Sequence, residues 1–232
     1  MAVPRFRVPQ DVTRHFVLDV NQTLSDMRPV DDVLRQHGAP AAMADAWFAA
    51  VLRDGFALSL HRRAPAFLDL CREVLQSCLH GLDGLDAPPA RVVDDVLDTL
   101  SRLGVHADVA PGLRALAGAG HRITTFSNGS VAAARGLLDR AGLGDVVDDV
   151  LSVEGGAVWK PHPDAYASAA ERLSASPSDL TMVAVHAWDL DGAGSAGFTT
   201  AWVNRDGAPW PASFRPADVQ VHDLMGLVDS PS

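Results

Sequence analysis

The sequence predicts an α/β fold: a doubly wound, Rossmann-like parallel sheet with an all-helical subdomain inserted near its start. Three observations predict it. A short apolar run, Phe16-Val17-Leu18, stops abruptly at an acid, Asp19. From Pro29 to about Leu103, apolar residues recur at helical spacing and no strand pattern interrupts them. Beyond that block, β-branched runs alternate with helical patterns, which implies a parallel sheet with helices on both faces.

The elements follow in order. The opening strand, Phe16 to Leu18, leads into a polar turn carrying Asn21, Gln22 and Thr23. In "AAMADAWFAAVLRDGFALSL" the apolar residues Ala46, Phe48, Ala49, Leu52 and Phe56 recur at helical spacing. "PAFLDLCREVLQSCL" and "PARVVDDVLDTLSRL" repeat the pattern, each opening near a proline. Gly38-Ala39-Pro40, Ala64-Pro65 and Pro88-Pro89 punctuate the block, giving about four helices. Then "LRALAGAG" predicts helix, "HRITTFSNGS" a strand ending in a polar turn, and "VAAARGLLDRAGL" helix. "VVDDVLSV" predicts strand, "PDAYASAAERL" helix, "TMVAVHAW" strand, "DGAGSAGF" a short helix and "TTAWVN" strand. The expected organisation is a core at 12–27 and 105–232, a helical cap at 28–104, and a flexible N-terminus at 1–11.

Composition bounds the function. The chain has 232 residues, 47% of them hydrophobic, enough for one sizeable core with an inserted subdomain. Its net charge of −10 repels nucleic acid and anionic membranes, so neither is an expected partner. A small anionic substrate would need local cations inside a pocket. No apolar run approaches the ~18 residues of a membrane span. The start, "MAVPRFRVPQDV", has basic residues but no apolar stretch behind them; a secretory signal is not expected, and a cytoplasmic location is. Cys71 and Cys78 sit seven apart, about 10 Å along a helix axis. They are too far apart to bridge and are expected to be buried free thiols.

In open parallel sheets, ligands bind beyond the carboxyl ends of the strands. Four separated segments place polar residues there: Asp19 to Thr23, Ser127-Asn128-Gly129, Lys160 in "VWKPHPDAY", and His186 to Asp189. Any one alone is an ordinary turn or surface feature. Their coincidence with the α/β alternation marks one site.

These segments resemble the haloacid dehalogenase superfamily, and within it the type II, (S)-2-haloacid dehalogenase-like branch. "DVNQTL" is similar to the first motif, with Asp19 as nucleophile and Thr23 four later. "FSNGS" resembles the second motif through Ser127 and Asn128. "KPHPDAY" resembles the third through Lys160 and Tyr166, and "HAWDLDGAGSAG" the fourth through Asp189. The resemblance covers nearly the whole chain, including the helical insertion after the first motif. It also implies a homodimer.

Most of the superfamily resembles magnesium-dependent phosphatases, which need a second Asp two residues after the nucleophile. Here that residue is Asn21. The farther of the two usual fourth-motif acids would fall at Ala184 or Val185, so no metal and no cofactor are expected. Displacement at carbon needs neither. A carboxylate can expel a halide in line and form an ester on Asp19, which water then opens with the help of a base. In better-known members of the branch an asparagine, a serine and the fourth-motif Asp surround that water. This chain has His186 and Ala184 at the first two positions. The resemblance to a sub-branch with histidine there implies a His/Glu dyad; Gln22 stands in the glutamate position and can orient the ring but not balance its charge.

On this reading Asn21, Gln22 and Thr23 stabilise an ionised Asp19, and Lys160 keeps it unprotonated. Ser127 and Asn128 hold the substrate carboxylate or the ester oxyanion. Arg53 is either the cap arginine for the substrate carboxylate or an ordinary surface arginine, and the family position falls nearer Phe48, beside Trp47. Trp47 and Trp188 line the pocket or pack in the core, Tyr166 touches substrate or packs, and His162 is a structural loop residue. The expected function is metal-free hydrolysis of a small 2-substituted carboxylate, most simply an (S)-2-haloacid. The rivals are ring opening of azetidine-2-carboxylate, a residual phosphatase, and a catalytically weakened binding protein, which Gln22 favours.

Overall fold

The computed structural model describes residues 14–228. The segment expected to be flexible, 1–11, lies outside the described residues. A six-stranded, all-parallel sheet has the order β3-β2-β1-β4-β5-β6. Its strands are β1 (His15–Leu18), β2 (Arg122–Ser127), β3 (Asp149–Ser152), β4 (Leu180–Ala184), β5 (Thr199–Val203) and β6 (Val219–Val221). The order reverses at β1, which lies between β2 and β4, and a crevice opens at the carboxyl ends of strands at such a point. All four side chains of β1 are buried, as expected for a central strand whose apolar run does not alternate.

Five helices lie between β1 and β2, and the first four form the inserted block: α1 (Arg28–Gln36), α2 (Met43–Leu60), α3 (Phe67–Leu79) and α4 (Pro89–Ser101). The helix α3 shows why they form. Phe67, Leu70, Cys71, Val74, Leu75 and Leu79 are buried at spacings of three and four, giving one apolar stripe. Both cysteines are free thiols on this helix; Cys71 is buried, but Cys78 is only half-buried. The chain leaves and re-enters the core at one joint. Ser25 and Val105 form an antiparallel bridge, Asp26 N donates to Gly104 O at 2.9 Å, and His106 N donates to Leu24 O at 3.0 Å.

The fifth helix, α5 (Val109–Gly118), leads into β2, and between the later strands lie α6 (Val131–Arg140), α7 (Pro163–Arg172) and α8 (Ala187–Ser195). Two expectations need correction here. The strand expected to run through "TMVAVHAW" ends at Ala184, and α8 begins at Ala187. Asp189, Leu190 and Ala193 share a buried helical face, which favours helix over continued strand. The strand β6 was not foreseen because three residues are too few to show alternation.

The helical block docks on the core through Trp159. The Trp159 backbone N donates to Ser59 Oγ at 2.9 Å, and its indole Nε1 donates to Pro65 O at 3.1 Å. Its ring lies against α2 at Gly55, where a Cβ would fall 2.2 Å from Trp159 Cε3. Only glycine leaves room for that ring.

Candidate active site

The site is assembled at the carboxyl end of β1. The Asp19 backbone N makes the last ladder bond, to Val183 O at 2.9 Å, and the chain then turns, with Leu24 N and Ser25 N both donating to Val20 O. This aims the Asp19 carboxylate into the crevice, where it is only 3% exposed.

Lys160 reaches it from the loop before α7 and is fully buried. Its Nζ donates to Asp19 Oδ1 at 2.9 Å, to Asp189 Oδ2 at 2.6 Å and to Phe126 O at 2.9 Å. All three ammonium protons are thus engaged, and Nζ also stands 5.1 Å from the Phe126 ring centre. Burial alone would raise the Asp19 carboxyl, but the Lys160 charge and the Thr23 hydrogen bond hold it well below the ordinary carboxylate range. Burial disfavours the charged Lys160 as well, and Asp189 and Asp19 outweigh it and raise the ammonium. Asp189 is pushed up by burial and by the charge of Asp19, against the opposing pull of Lys160.

Thr23 Oγ1 donates to Asp19 Oδ2 at 2.7 Å and accepts from Val185 N at 3.2 Å, tying the β1 loop to the end of β4. His186 precedes α8 in its N-cap position. Its Nδ1 lies 3.3 Å from Asp19 Oδ2, is buried, and has no hydrogen-bond partner. Its Nε2 is 2.8 Å from Gln22 Oε1. With the amide oxygen as acceptor, Nε2 carries the proton, and Nδ1 presents its lone pair beside the Asp19 carboxylate. Asp19, Lys160, Asp189, Thr23, Gln22 and His186 therefore form one cluster.

Gln22 has a left-handed backbone, φ 63°, an uncommon conformation for a residue with a side chain. Two bonds hold it there. Gln22 N donates to Ser25 Oγ at 3.1 Å, and His106 Nε2 donates to Gln22 O at 3.0 Å. Ser127 Oγ accepts from Gly129 N at 2.9 Å and keeps its own proton to give. Asn21 Nδ2 lies close by, 3.8 Å from the place a Cβ on Gly129 would occupy.

Four of the expected residues have partners within the protein. The Asn128 side chain is engaged by Lys160: its Oδ1 accepts from Lys160 N at 2.9 Å and its Nδ2 donates to Lys160 O at 3.2 Å. Both ends of the amide clamp the lysine's backbone. Tyr166 is fully buried and donates to Asp189 Oδ1 at 2.6 Å and Asp189 O at 3.0 Å. Gly192 leaves room for it, since a Cβ there would lie 2.8 Å from the phenol oxygen. Burial holds the phenol well above its usual range, so it stays a donor. Trp47 is buried in the helical block, its indole donating to Cys71 O at 3.0 Å. Arg53 is exposed and pairs with Asp54 at 2.7 Å. It lines a surface groove with Ala50, Leu70 and Cys78, none of which belongs to the cluster. His162 caps α7, accepting from Asp164 N.

Aromatic rings close the site. The His186 ring is stacked by Trp188, centroids 5.1 Å apart and planes at 27°, and by Phe48 of α2, at 6.4 Å and 23°. Phe56 packs on Trp188 at 4.9 Å, and Phe67 packs on Phe48. Trp188 was a pocket candidate from the sequence, but the roles of Phe48, Phe56 and Phe67 were not visible there, because these rings come from the helical block. It also missed Arg205, whose Nη2 donates to Thr23 O while the guanidinium pairs with Asp108.

The residues do not fit magnesium. Among the described residues no group of three His, Cys, Asp or Glu side chains is placed to hold a metal ion. An amide, Asn21, stands two residues after Asp19, and Ala184 and Val185 offer no oxygen ligand from their side chains.

Comparison with known proteins gives a consistent result. The family model for haloacid dehalogenase-like hydrolases matches residues 13–197. (S)-2-haloacid dehalogenase 1 of Pseudomonas sp. (strain CBS-3) is 30% identical over 226 residues, covering 95% of this chain and 96% of that protein. (S)-2-haloacid dehalogenase 4A of Burkholderia cepacia is 31% identical, covering 94% of each. Among solved structures, a dehalogenase with an intermediate complex has a TM-score of 0.86 at 30% identity, covering 94% of this chain and 96% of that one. The L-2-haloacid dehalogenase of Xanthobacter autotrophicus, with chloropropionic acid covalently bound, has a TM-score of 0.80 at 26% identity, covering 94% and 98%.

Proposed function

The chain belongs to the haloacid dehalogenase-like hydrolases, and from that premise we propose that it removes halide from small (S)-2-haloacids through an ester on Asp19. The observation that carries this reading is the buried Asp19 carboxylate, held ionised by Lys160, with the lone nitrogen of His186 3.3 Å away.

One Asp19 oxygen attacks C2 of the substrate, the C2–halogen bond breaks, and the halide leaves with the bonding pair. Attack in line inverts C2. Water then attacks the ester carbonyl carbon of Asp19 and gives its proton to His186 Nδ1. Lys160 stabilises the oxyanion. The ester C–O bond breaks, the departing alkoxide takes the proton from His186, and the last carboxyl proton goes to solvent. Ser127 and Asn21 present donors to the substrate carboxylate. Tyr166 and Asn128 act through other residues, fixing Asp189 and the Lys160 backbone. The helical block serves as the cap.

The test is halide release from each enantiomer of 2-chloropropionate, with Asp19→Asn as control. Release from the (S) form giving the (R) hydroxy acid supports the reading; activity retained in Asp19→Asn assigns the chemistry elsewhere. A second reading, ring opening of azetidine-2-carboxylate, is favoured by the aromatic faces of Phe48 and Trp188, which suit a ring ammonium, and by the position of Arg53 outside the cluster. The same assay with that substrate, read by its open-chain amine, decides it.

A further inference from the structure

The step that opens the ester poses an electrostatic problem. In the resting enzyme an imidazolium at His186 would have Asp19 as its counter-ion, 3.3 Å away. In the ester that charge is gone, since Asp19 is the acyl group. The other edge of the ring meets only the neutral oxygen of Gln22. Beyond Asp19, Lys160 and Asp189 offset one another. His106 reaches the Gln22 carbonyl and not the ring itself. The remaining neighbours are aromatic faces: Trp188 at 5.1 Å and 27°, and Phe48 at 6.4 Å and 23°. A cation within about 6 Å of an indole centre gains roughly 0.5–2 kcal/mol.

We propose that Trp188, with Phe48 as a second and more distant ring, is a positioning residue whose π-face stabilises the His186 imidazolium while the ester is hydrolysed. The inference rests on His186 as the base. Trp188 meets the distance criterion and carries most of the effect, and Phe48, slightly farther, adds a smaller share. The arrangement takes the place of a carboxylate at Gln22. It also makes the base depend on the helical block, because Phe48 belongs to α2.

The experiment separates the two steps by single-turnover kinetics with (S)-2-chloropropionate. Halide burst reports alkylation, and loss of ester mass reports hydrolysis. In Trp188→Leu the burst is retained, hydrolysis slows about 2- to 30-fold, and the acidic limb of the hydrolysis rate moves to lower pH. Trp188→Phe restores most of the rate. Trp188→Leu also loses packing on Phe56, so a nearly isosteric series is the decisive measurement. Site-specific replacement of Trp188 by tryptophans of increasing fluorination weakens the π-face without changing the fold, and log hydrolysis rate should fall steadily along the series. A flat series, or equal slowing in Trp188→Leu and Trp188→Phe, overturns the stacking proposal while the ester trapped in His186→Asn still stands. If His186→Asn traps no ester, the assignment of the base falls, and this inference with it.

Discussion

Gln22 Oε1 stands 2.8 Å from His186 Nε2, and the residue that delivers it has a left-handed backbone at φ 63°. Such a conformation costs of order 1–3 kcal/mol and persists where surrounding bonds enforce it; here Ser25 and His106 do so. The amide fixes the ring tautomer that leaves Nδ1 free beside Asp19.

His186→Asn should therefore slow ester hydrolysis by about 10²–10⁴-fold while leaving alkylation largely intact. The variant accumulates enzyme with substrate carbon on Asp19, visible by intact mass. Gln22→Glu restores an acid beside the ring and should speed the second step. No adduct and no burst in a folded His186→Asn would leave that histidine with a structural role only.

The pH dependence follows from the lowered Asp19 carboxyl. Its contribution to stability is fully present above the unfolded carboxylate value of about 3.9 and is lost as pH falls through the lower folded value. The halide burst should stay level as pH is brought down toward that value. A burst that halves between about pH 4 and 5 would show Asp19 titrating in the ordinary range.

Chelation should leave turnover unchanged, and added magnesium should not stimulate it. The motivation is Asn21 in place of the phosphatases' second Asp, and Ala184 and Val185 where a carboxylate ligand would be needed. Loss of activity in EDTA with recovery on adding magnesium would reverse the reading.

Asn128→Ala removes two bonds to the Lys160 backbone, and leaving those groups unpaired costs about 1–3 kcal/mol. Stability and kcat should fall together. A rise in KM at unchanged melting temperature would instead mean that Asn128 binds substrate.

Gly55→Ala drives a methyl group into the Trp159 ring. Overpacking of this kind costs about 1–3 kcal/mol, so the melting temperature should drop by several degrees. Activity should fall with it, because Trp159 and Lys160 are consecutive. An unchanged melting temperature would show that the ring has room to move.

Much of the site was legible because its chemistry sits at strand ends, where a change from apolar to polar residues marks each position. Asp19, Thr23, Lys160 and Asp189 were found that way. The roles of Asn128 and Tyr166 were not, since a clamp on a backbone and a bond to a neighbouring acid look the same in sequence as contacts to a ligand. The hydrogen-bonding partner of each lies 32 and 23 residues away. Arg53 stayed between a surface and a ligand role because a lone arginine on a helix does not reveal which face it occupies. The left-handed Gln22 left no local signal, as neither glycine nor asparagine stands there.

The bridge between Ser25 and Val105 gives the intervening helices coincident ends. The chain departs from the sheet and returns at almost the same place, so the intervening length hardly alters the entropy of closing the loop. Such a joint makes the segment interchangeable. Another insert with adjoining ends would leave strand order and nucleophile untouched while replacing Phe48, and with it one wall around His186. Substrate preference in this architecture is thus open to revision by exchange of a whole segment, without rebuilding the chemistry beneath it.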